Sequence, residues 1–347
     1  MRVRLSRFDR SFDAAAAEAV LEAALRSGLN LPHSCKSGNC GACRARLLEG
    51  SIAYPHGRPP GLAPAEEAEG LVLLCQARAR SDLVVETFET APAGEIRIKR
   101  LPCRVERAQR LSHDVMGLYL KLPVAEPLDF KPGQYLDIML PQGRRRSFSI
   151  ASPPHDSRPL ELHVRRAPGG EFSSRIFEER GIEGALLTLE GPLGHFIYRE
   201  SSAPMLLIGG GTGLAPLKSI VRHVVERGLS RQIALYWGVR GERDLYAQRD
   251  LEALMRHDGA RLRYFPVLSE PAASWSGLKG YVHQAVLACA EPLAAYDIYA
   301  SGPPAMIEAI RREFPLHGAD PRRLYFDSFD YAPDSPARQP SIADSRS

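Results

Sequence analysis

At 347 residues, with 44% hydrophobic and 25% charged residues, the chain has the composition of a globular protein and is too long for one ordinary core, so two or three domains are expected. Its formal net charge of +4 is small, and no segment is basic enough to mark a nucleic-acid surface. No apolar run approaches the ~18 residues of a membrane span, and the N-terminal residues 1–7 lack a signal-peptide core, so a reducing cytoplasm is the expected setting.

The first segment mixes strand and helix signals. Asp13 is placed to cap a helix over Ala14–Arg26 that Gly28 closes. Cys35, Cys40 and Cys43 then follow one another as C-x4-C-x2-C, and Cys75 comes after a gap of 31 residues. Two irons bridged by two sulfides need four thiolates, three from one loop and one from a distant anchor, and this is the plant-type ferredoxin spacing. Small residues between the ligands (Ser37, Gly38, Gly41, Ala42) let the backbone wrap the cluster and aim N–H groups at its sulfurs. A zinc site, the alternative, usually pairs two C-x2-C knuckles, and only Cys40 and Cys43 form one. A strand over Arg44–Leu48 follows, then a surface loop over Pro55–Pro64. Leu71–Leu74 is a strand that presents Cys75, and Asp82–Glu86 closes the segment. Cys103 and Cys289 lack partner spacing and are expected to be small buried apolar residues.

Residues 91–95 read as a linker. From Arg97, short strands with turns at Lys131-Pro-Gly133 and Pro141-Gln-Gly143 predict a small antiparallel barrel to about Arg199. From Pro204 the pattern changes to doubly wound α/β. Met205–Ile208 is a wholly apolar strand, followed by a Gly-rich turn and a helix near Pro216–Arg227. Further strands are expected at Ile233–Trp237, Leu262–Val267 and Asp297–Ala300. The expected division is 1–92, 97–200 and 201–332, with 333–347 a disordered tail rich in Pro, Ser, Asp and Arg.

Several motifs carry a resemblance. Leu31–Gly50 resembles the cluster loop of a plant-type ferredoxin, over about the first 90 residues. Arg146, Phe148 and Ser149 resemble the R-x-[YF]-S motif of the ferredoxin reductase superfamily. That resemblance implies Arg146 on the flavin diphosphate, Phe148 on the isoalloxazine and Ser149 near N5, with Arg146 and Phe148 sharing a strand face. Leu162 to Arg165, including His163 and Val164, resembles the next strand, which meets the flavin mainly through its backbone. Gly170, Phe172 and Ser173 lie in a G-x-x-[ST] turn expected to open a helix over Ser174–Glu179, its N-terminus on the pyrophosphate. Gly191–Phe196 is similar to a further turn of these barrels. Ile208–Pro216 lacks the G-x-G-x-x-G fingerprint but resembles the G-G-T-G-[LI]-[AS]-P turn, which implies Gly210, Gly211, Thr212 and Gly213 against a nicotinamide nucleotide. Ser301, Gly302, Pro303 and Met306 resemble C-G-P-x-x-M, with serine in place of the cysteine near the nicotinamide. Tyr325–Phe329 resembles the aromatic end segment that covers the flavin through Phe329.

To about residue 332 the chain is therefore similar to flavin/iron–sulfur reductases of the order ferredoxin–FAD–NAD, among them the CDP-6-deoxy-glucoseen reductase group and oxygenase reductase components. This resemblance implies a multidomain protein: a β-grasp ferredoxin domain, an antiparallel β-barrel flavin domain and a doubly wound α/β nicotinamide domain. It implies electron flow from NADH (NADPH being the alternative) through FAD and a 2Fe-2S cluster, with Ser149, Ser301 and Phe329 around the hydride path. Arg240 and Arg243 are the groups placed to meet a 2′-phosphate. No substrate-activating set of two His and a carboxylate is evident, and His33, Asp114 and Glu190 join no catalytic set. The acceptor is thus expected to be a separate protein, a deoxysugar dehydratase or, alternatively, an oxygenase component. A zinc-binding, non-enzymatic module is the reading from another class. No nucleic-acid or membrane partner is expected.

Overall fold

Three sheets, each drawn from one continuous stretch of sequence, organise the protein. The structure, a computed structural model, describes residues 1–7, 10–87, 97–178, 182–259, 261–289 and 292–329. The linker at 91–95 and the tail at 333–347 lie outside the described residues.

The first stretch comprises β1 (Arg2–Leu5), β2 (Arg10–Asp13), α1 (Val20–Arg26), β3 (Arg44–Glu49), β4 (Ile52–Ala53), α2 (Pro64–Ala68), β5 (Leu71–Leu73), β6 (Arg78–Ala79) and β7 (Leu83–Thr87). The five-stranded sheet has the order β2-β1-β7-β3-β5, with β1 and β7 parallel at its centre and the other pairs antiparallel. α1 buries Val20, Leu21, Ala23 and Ala24, which gives the expected β-grasp. The helix starts later than the Asp13 cap predicts. Ala14 donates to the Met1 carbonyl at 2.9 Å and so extends the β1–β2 ladder, and Ala19 is the N-cap. A tertiary pairing here overrides the helix propensity of the alanine run. The C-terminus is as expected: Gly28 sits at φ 77°, and Leu29 and Gly28 donate back to Ala24 and Leu25 in a Schellman motif.

β8 (Lys99–Arg110), β9 (Val115–Lys121), β10 (Tyr135–Met139), β11 (Arg145–Ser149), β12 (Leu160–Arg165), α3 (Glu171–Ile176) and β13 (Leu186–Leu193) form the second unit. Its six-stranded antiparallel sheet runs β11-β10-β13-β8-β9-β12. Among the described residues, the edge strands meet through the isolated Ile150–Leu162 bridge, the Ala151 N–H to Glu161 carbonyl bond at 2.8 Å and the Glu161 N–H to Ser152 Oγ bond at 3.1 Å. The sheet therefore curls around its core as a barrel without a fully laddered closure. α3 begins at Glu171, three residues before the expected Ser174, because Gly170 already serves as its N-cap.

The third unit holds β14 (Met205–Gly210), α4 (Leu214–Glu226), β15 (Ile233–Val239), α5 (Gln248–His257), β16 (Leu262–Leu268), β17 (Leu278–Lys279), α6 (Val282–Cys289), β18 (Asp297–Gly302), α7 (Pro304–Glu313) and β19 (Leu324–Ser328). All pairs are parallel, in the order β17-β16-β15-β14-β18-β19. β14 is buried on both faces: Met205 and Leu207 pack into one core with α4 and α5, and Leu206 and Ile208 into another with α6 and α7. The strand order reverses around β14, so the crevice beyond its carboxyl end is where a doubly wound sheet binds ligands. Cys103 is buried as expected, whereas Cys289, at the end of α6, is exposed. No helix among the described residues is long and apolar enough to cross a membrane.

Candidate electron-transfer site

The loop between α1 and β3 is bent by backbone that few side chains tolerate: Lys36, Gly38 and Gly41 have φ of 54°, 83° and 74°. A Cβ on Gly38 would stand 2.9 Å from both Gln76 Cγ and Pro59 Cβ, so the loop closes tightly on its neighbours. It brings together Cys35, Cys40 and Cys43, and β5 delivers Cys75; all four thiols are free. The Cys40 amide donates to Cys35 Sγ at 3.3 Å and the Ala42 amide to Cys40 Sγ at 3.5 Å, so main-chain donors are aimed at sulfur. The thiols associate as two pairs, Cys35 with Cys40 and Cys43 with Cys75. The bond from the Cys40 thiol holds Cys35 down at about 5, and the same bond, with burial, pushes Cys40 up. Among the described residues, the only three His, Cys, Asp or Glu donor atoms lying mutually within 4.8 Å belong to His113, Asp114 and Asp244. No three of the sulfurs thus converge on one point, as a single tetrahedral zinc would require with its ligand sulfurs about 4 Å apart. Two cysteine pairs fit two irons.

The loop is gripped by both other units. Ser34 Oγ donates to the Asp327 carboxylate on β19, and Ser149 Oγ donates to Asp327 Oδ2 at 3.4 Å. Lys36 Nζ pairs with Asp137 Oδ2 on β10 at 3.1 Å. His195 N–H donates to the His33 carbonyl at 2.8 Å, and Arg311 on α7 donates to the Asn39 carbonyl. Asp327 is buried, and that burial pushes its carboxyl up to about 7. Sequence reasoning passed over Asp327, Asp137 and Arg311. The first two had a signal, a carboxylate inside an otherwise apolar or aromatic strand, which must find a partner when buried. His33 is wholly buried with its rings neighbours Tyr135 and His195, and burial holds it well below the usual histidine range.

On β11, register with β10 sets Arg146 opposite Ile138 and Phe148 opposite Leu136, both core residues, and sets Ser149 opposite Tyr135. Arg146 and Phe148 therefore share one face, and Ser149 points to the other, toward Asp327. The Phe148 ring lies 5.7 Å from that of Phe172 on α3. Gly170 is tight against this turn: a Cβ there would stand 2.7 Å from Ser173 Oγ. The Ser173 hydroxyl is spent within the turn, accepting from Ala167 N–H at 3.0 Å and donating to the Gly170 carbonyl at 3.1 Å. On β12, Val164 is core. The side chain of His163 joins a buried chain across units: Nδ1 to Tyr246 Oη at 3.0 Å, Nε2 to Glu161 at 3.0 Å, and Glu161 to Lys218 Nζ at 2.8 Å. Arg165, the last residue of β12, is exposed. It bonds Asp114 at 2.8 Å and lines the nucleotide crevice.

That crevice is a cavity of about 480 Å³ with Gly210, Gly211, Thr212, Pro303 and Met306 on its wall, joined by Arg240, Asp244 and Tyr281. Gly211 has φ 55° and its carbonyl accepts from Trp237 Nε1 at 2.9 Å, which fixes the turn. A Cβ on Gly210 would lie 2.8 Å from Met306 Sδ, and one on Gly213 2.0 Å from the Ser301 carbonyl oxygen. The glycines let the turn lie against the β18–α7 turn, an arrangement with space for a dinucleotide. Ser301 is fully buried with an unpartnered hydroxyl and does not line the cavity, nor does Arg243. Phe329 N–H donates to the Gly302 carbonyl at 2.9 Å, which ties the end segment to the same turn.

Three comparisons bear on this geometry. Residues 3–80 match the 2Fe-2S iron-sulfur cluster binding domain, 102–198 the oxidoreductase FAD-binding domain and 207–312 the oxidoreductase NAD-binding domain. The chain is 35% identical over 310 residues to a CDP-6-deoxy-L-threo-D-glycero-4-hexulose-3-dehydrase reductase of Yersinia pestis, covering 89% of this chain and 92% of that protein. It is 37% identical over 329 residues to an aromatic O-demethylase reductase subunit of Amycolatopsis, covering 92% and 96%. The crystal structure of the Amycolatopsis cytochrome P450 reductase GcoB superposes with a TM-score of 0.77 at 34% identity, over 94% of this chain and 98% of that one. The chain belongs to the ferredoxin-reductase-type oxidoreductases: it is an NAD(P)H-dependent flavin/iron–sulfur enzyme with FAD and a 2Fe-2S cluster as its cofactors.

Proposed function

We propose that this protein takes electrons from NADH rather than NADPH and delivers them to a separate deoxysugar dehydratase. The name of the 35% identical Yersinia protein carries the choice of acceptor. A nucleotide wall shared by Arg240 and Asp244 supports the donor, since a 2′-phosphate there would meet an anion as well as a cation. Four free cysteines at one site suit a reducing cytoplasm.

FAD and the cluster, when bound, supply the change from hydride transfer to one-electron delivery. The residues do the rest. Cys35 and Cys40 would hold one iron, Cys43 and Cys75 the other. Arg146, Phe148 and the backbone of His163–Arg165 and Gly170–Ser173 would seat the flavin, with Phe172 behind Phe148. Gly210–Gly213 with Gly302, Pro303 and Met306 would seat the nicotinamide nucleotide, and Ser301 would pack beneath its ring. Ser149 would meet the flavin edge, and Phe329 would cover the ring.

A second reading has an oxygenase component as acceptor, favoured by the 37% identical O-demethylase reductase subunit. The deciding experiment combines the purified protein and NADH with each class of acceptor in turn. Turnover of the dehydratase alone is expected, with Cys40→Ser retaining flavin reduction by NADH but losing delivery. Transfer undiminished in Cys40→Ser would show a path that bypasses the cluster. A preference for NADPH of about tenfold, some 1.4 kcal/mol, would overturn the donor.

A further inference from the structure

Arg311 is an anomaly outside the cofactor motifs. It sits on α7 of the nicotinamide unit, yet it reaches the ferredoxin loop and donates from Nη2 to the Asn39 carbonyl. Its guanidinium faces the Phe326 ring, 5.9 Å from the centroid. Its Nε is buried without a partner, and no carboxylate pairs with it among the described residues. The nearby Glu66 is already taken, 3.0 Å from Arg44. A guanidinium stays charged in any such setting, and a partly buried unpaired cation is costly. The anions that offset it electrostatically are the Cys40 sulfur first, then Glu66 and the Cys35 sulfur, against the burial and the Arg44 guanidinium that oppose its charge.

The bond it makes bears on the same sulfurs. The Asn39 carbonyl and the Cys40 N–H belong to one peptide group, and that N–H donates to Cys35 Sγ at 3.3 Å. A cation on the oxygen polarises the peptide and strengthens its N–H as a donor. Hydrogen bonds and positive charge at cluster sulfurs favour the state carrying one more electron.

We propose that Arg311 is a positioning residue by which the nicotinamide unit raises the reduction potential of the iron–sulfur cluster in the ferredoxin unit. The couple is a single electron passing from flavin to cluster, with no bond made or broken and no proton moved, and the site becomes one charge more negative. Arg311 offsets that charge from outside the ferredoxin unit. The fused chain thereby draws electrons toward its exit, where an undocked ferredoxin unit would hold them less well. This rests on the assignment of the four cysteines as ligands.

The test is a redox titration of the loaded protein, with the reduced cluster followed by electron paramagnetic resonance and the flavin by absorbance. Arg311→Gln is expected to shift the distribution of electrons between the two centres about tenfold toward the flavin, which for a one-electron couple is about 59 mV. Arg311→Lys, which keeps the charge, is expected to shift it clearly less. An unchanged distribution in Arg311→Gln overturns the proposal, as does an equal shift in both variants. Should Arg311→Gln fail to retain the cluster, Arg311→Lys holding it at the wild-type potential supports the role of charge. Loss of the cluster from both would make the residue merely structural and overturn it. Wild-type protein that gives no cluster signal on reduction would sink the cysteine assignment itself, a result distinct from any difference between variants.

Discussion

The Asp327 carboxylate of the last strand accepts a hydrogen bond from Ser34, the residue that precedes the first cysteine of the iron–sulfur loop. Ser149 of the flavin motif donates to the other oxygen of the same carboxylate. One buried acid thus joins the three units.

That acid gives a pH signature. Burial raises Asp327 from 3.8 to about 7, outweighing the bond from Ser34. The folded protein then holds a proton that the unfolded chain has released, so its contribution to stability is full below about pH 4 and is lost as pH rises toward 7. The shift corresponds to at most about 4 kcal/mol. Asp327→Asn is expected to flatten the decline in thermal midpoint between pH 5 and pH 8. A variant whose midpoint falls as steeply as wild type would mean that the acid is ionised and paired throughout.

The cofactor framework was legible in the sequence because each part depends on local spacing. C-x4-C-x2-C and the Gly209–Gly213 run are turns whose geometry a few neighbouring residues decide. The contacts that assemble the units were not legible. Arg311 and Asn39 are 272 residues apart, and nothing in the vicinity of either announces the other. The late start of α1 has the same origin, since the Ala14–Met1 pairing is a property of the folded sheet. Strand alternation did foretell that Arg146 and Phe148 share a face, but only the register with β10 shows Ser149 facing Asp327.

Gly213 is the most demanding position of the nucleotide turn. An added Cβ would lie 2.0 Å from the Ser301 carbonyl oxygen, and both groups are backbone-bound, so neither swings aside. Gly213→Ala is expected to displace the turn from β18 and to slow flavin reduction by NADH about 10²-fold, the scale of a misplacement near 1 Å. Flavin and cluster absorbance should persist. Stopped-flow traces indistinguishable from wild type would mean that the nucleotide does not depend on this turn.

The cysteines outside the motif differ in reach. Cys289 is exposed, whereas burial pushes Cys103 up to about 11. With the cluster in place, a thiol reagent should therefore label one cysteine rapidly, and Cys289→Ser should abolish that label. Rapid labelling that survives in Cys289→Ser would reveal an open Cys103 or an unloaded cluster loop.

The flavin and nicotinamide units are held together by a buried charge pair, and its removal should be costly. Glu161 and Lys218 each expose 8% of their side chains and meet at 2.8 Å, with His163 on the same carboxylate oxygen. Burial alone would raise the acid, but the His163 bond and the Lys218 charge outweigh it and hold Glu161 at about 2. Its stabilisation is therefore present above about pH 4.5 and is lost as pH falls toward 2. Lys218→Met leaves the carboxylate buried without its cation and is expected to cost about 3 kcal/mol, while adding Glu161→Gln should restore much of that. Denaturant unfolding at neutral pH measures both. If the double variant is no more stable than Lys218→Met, the loss comes from packing around the lysine stem rather than from an uncompensated charge, and the junction is held by shape instead of by this pair.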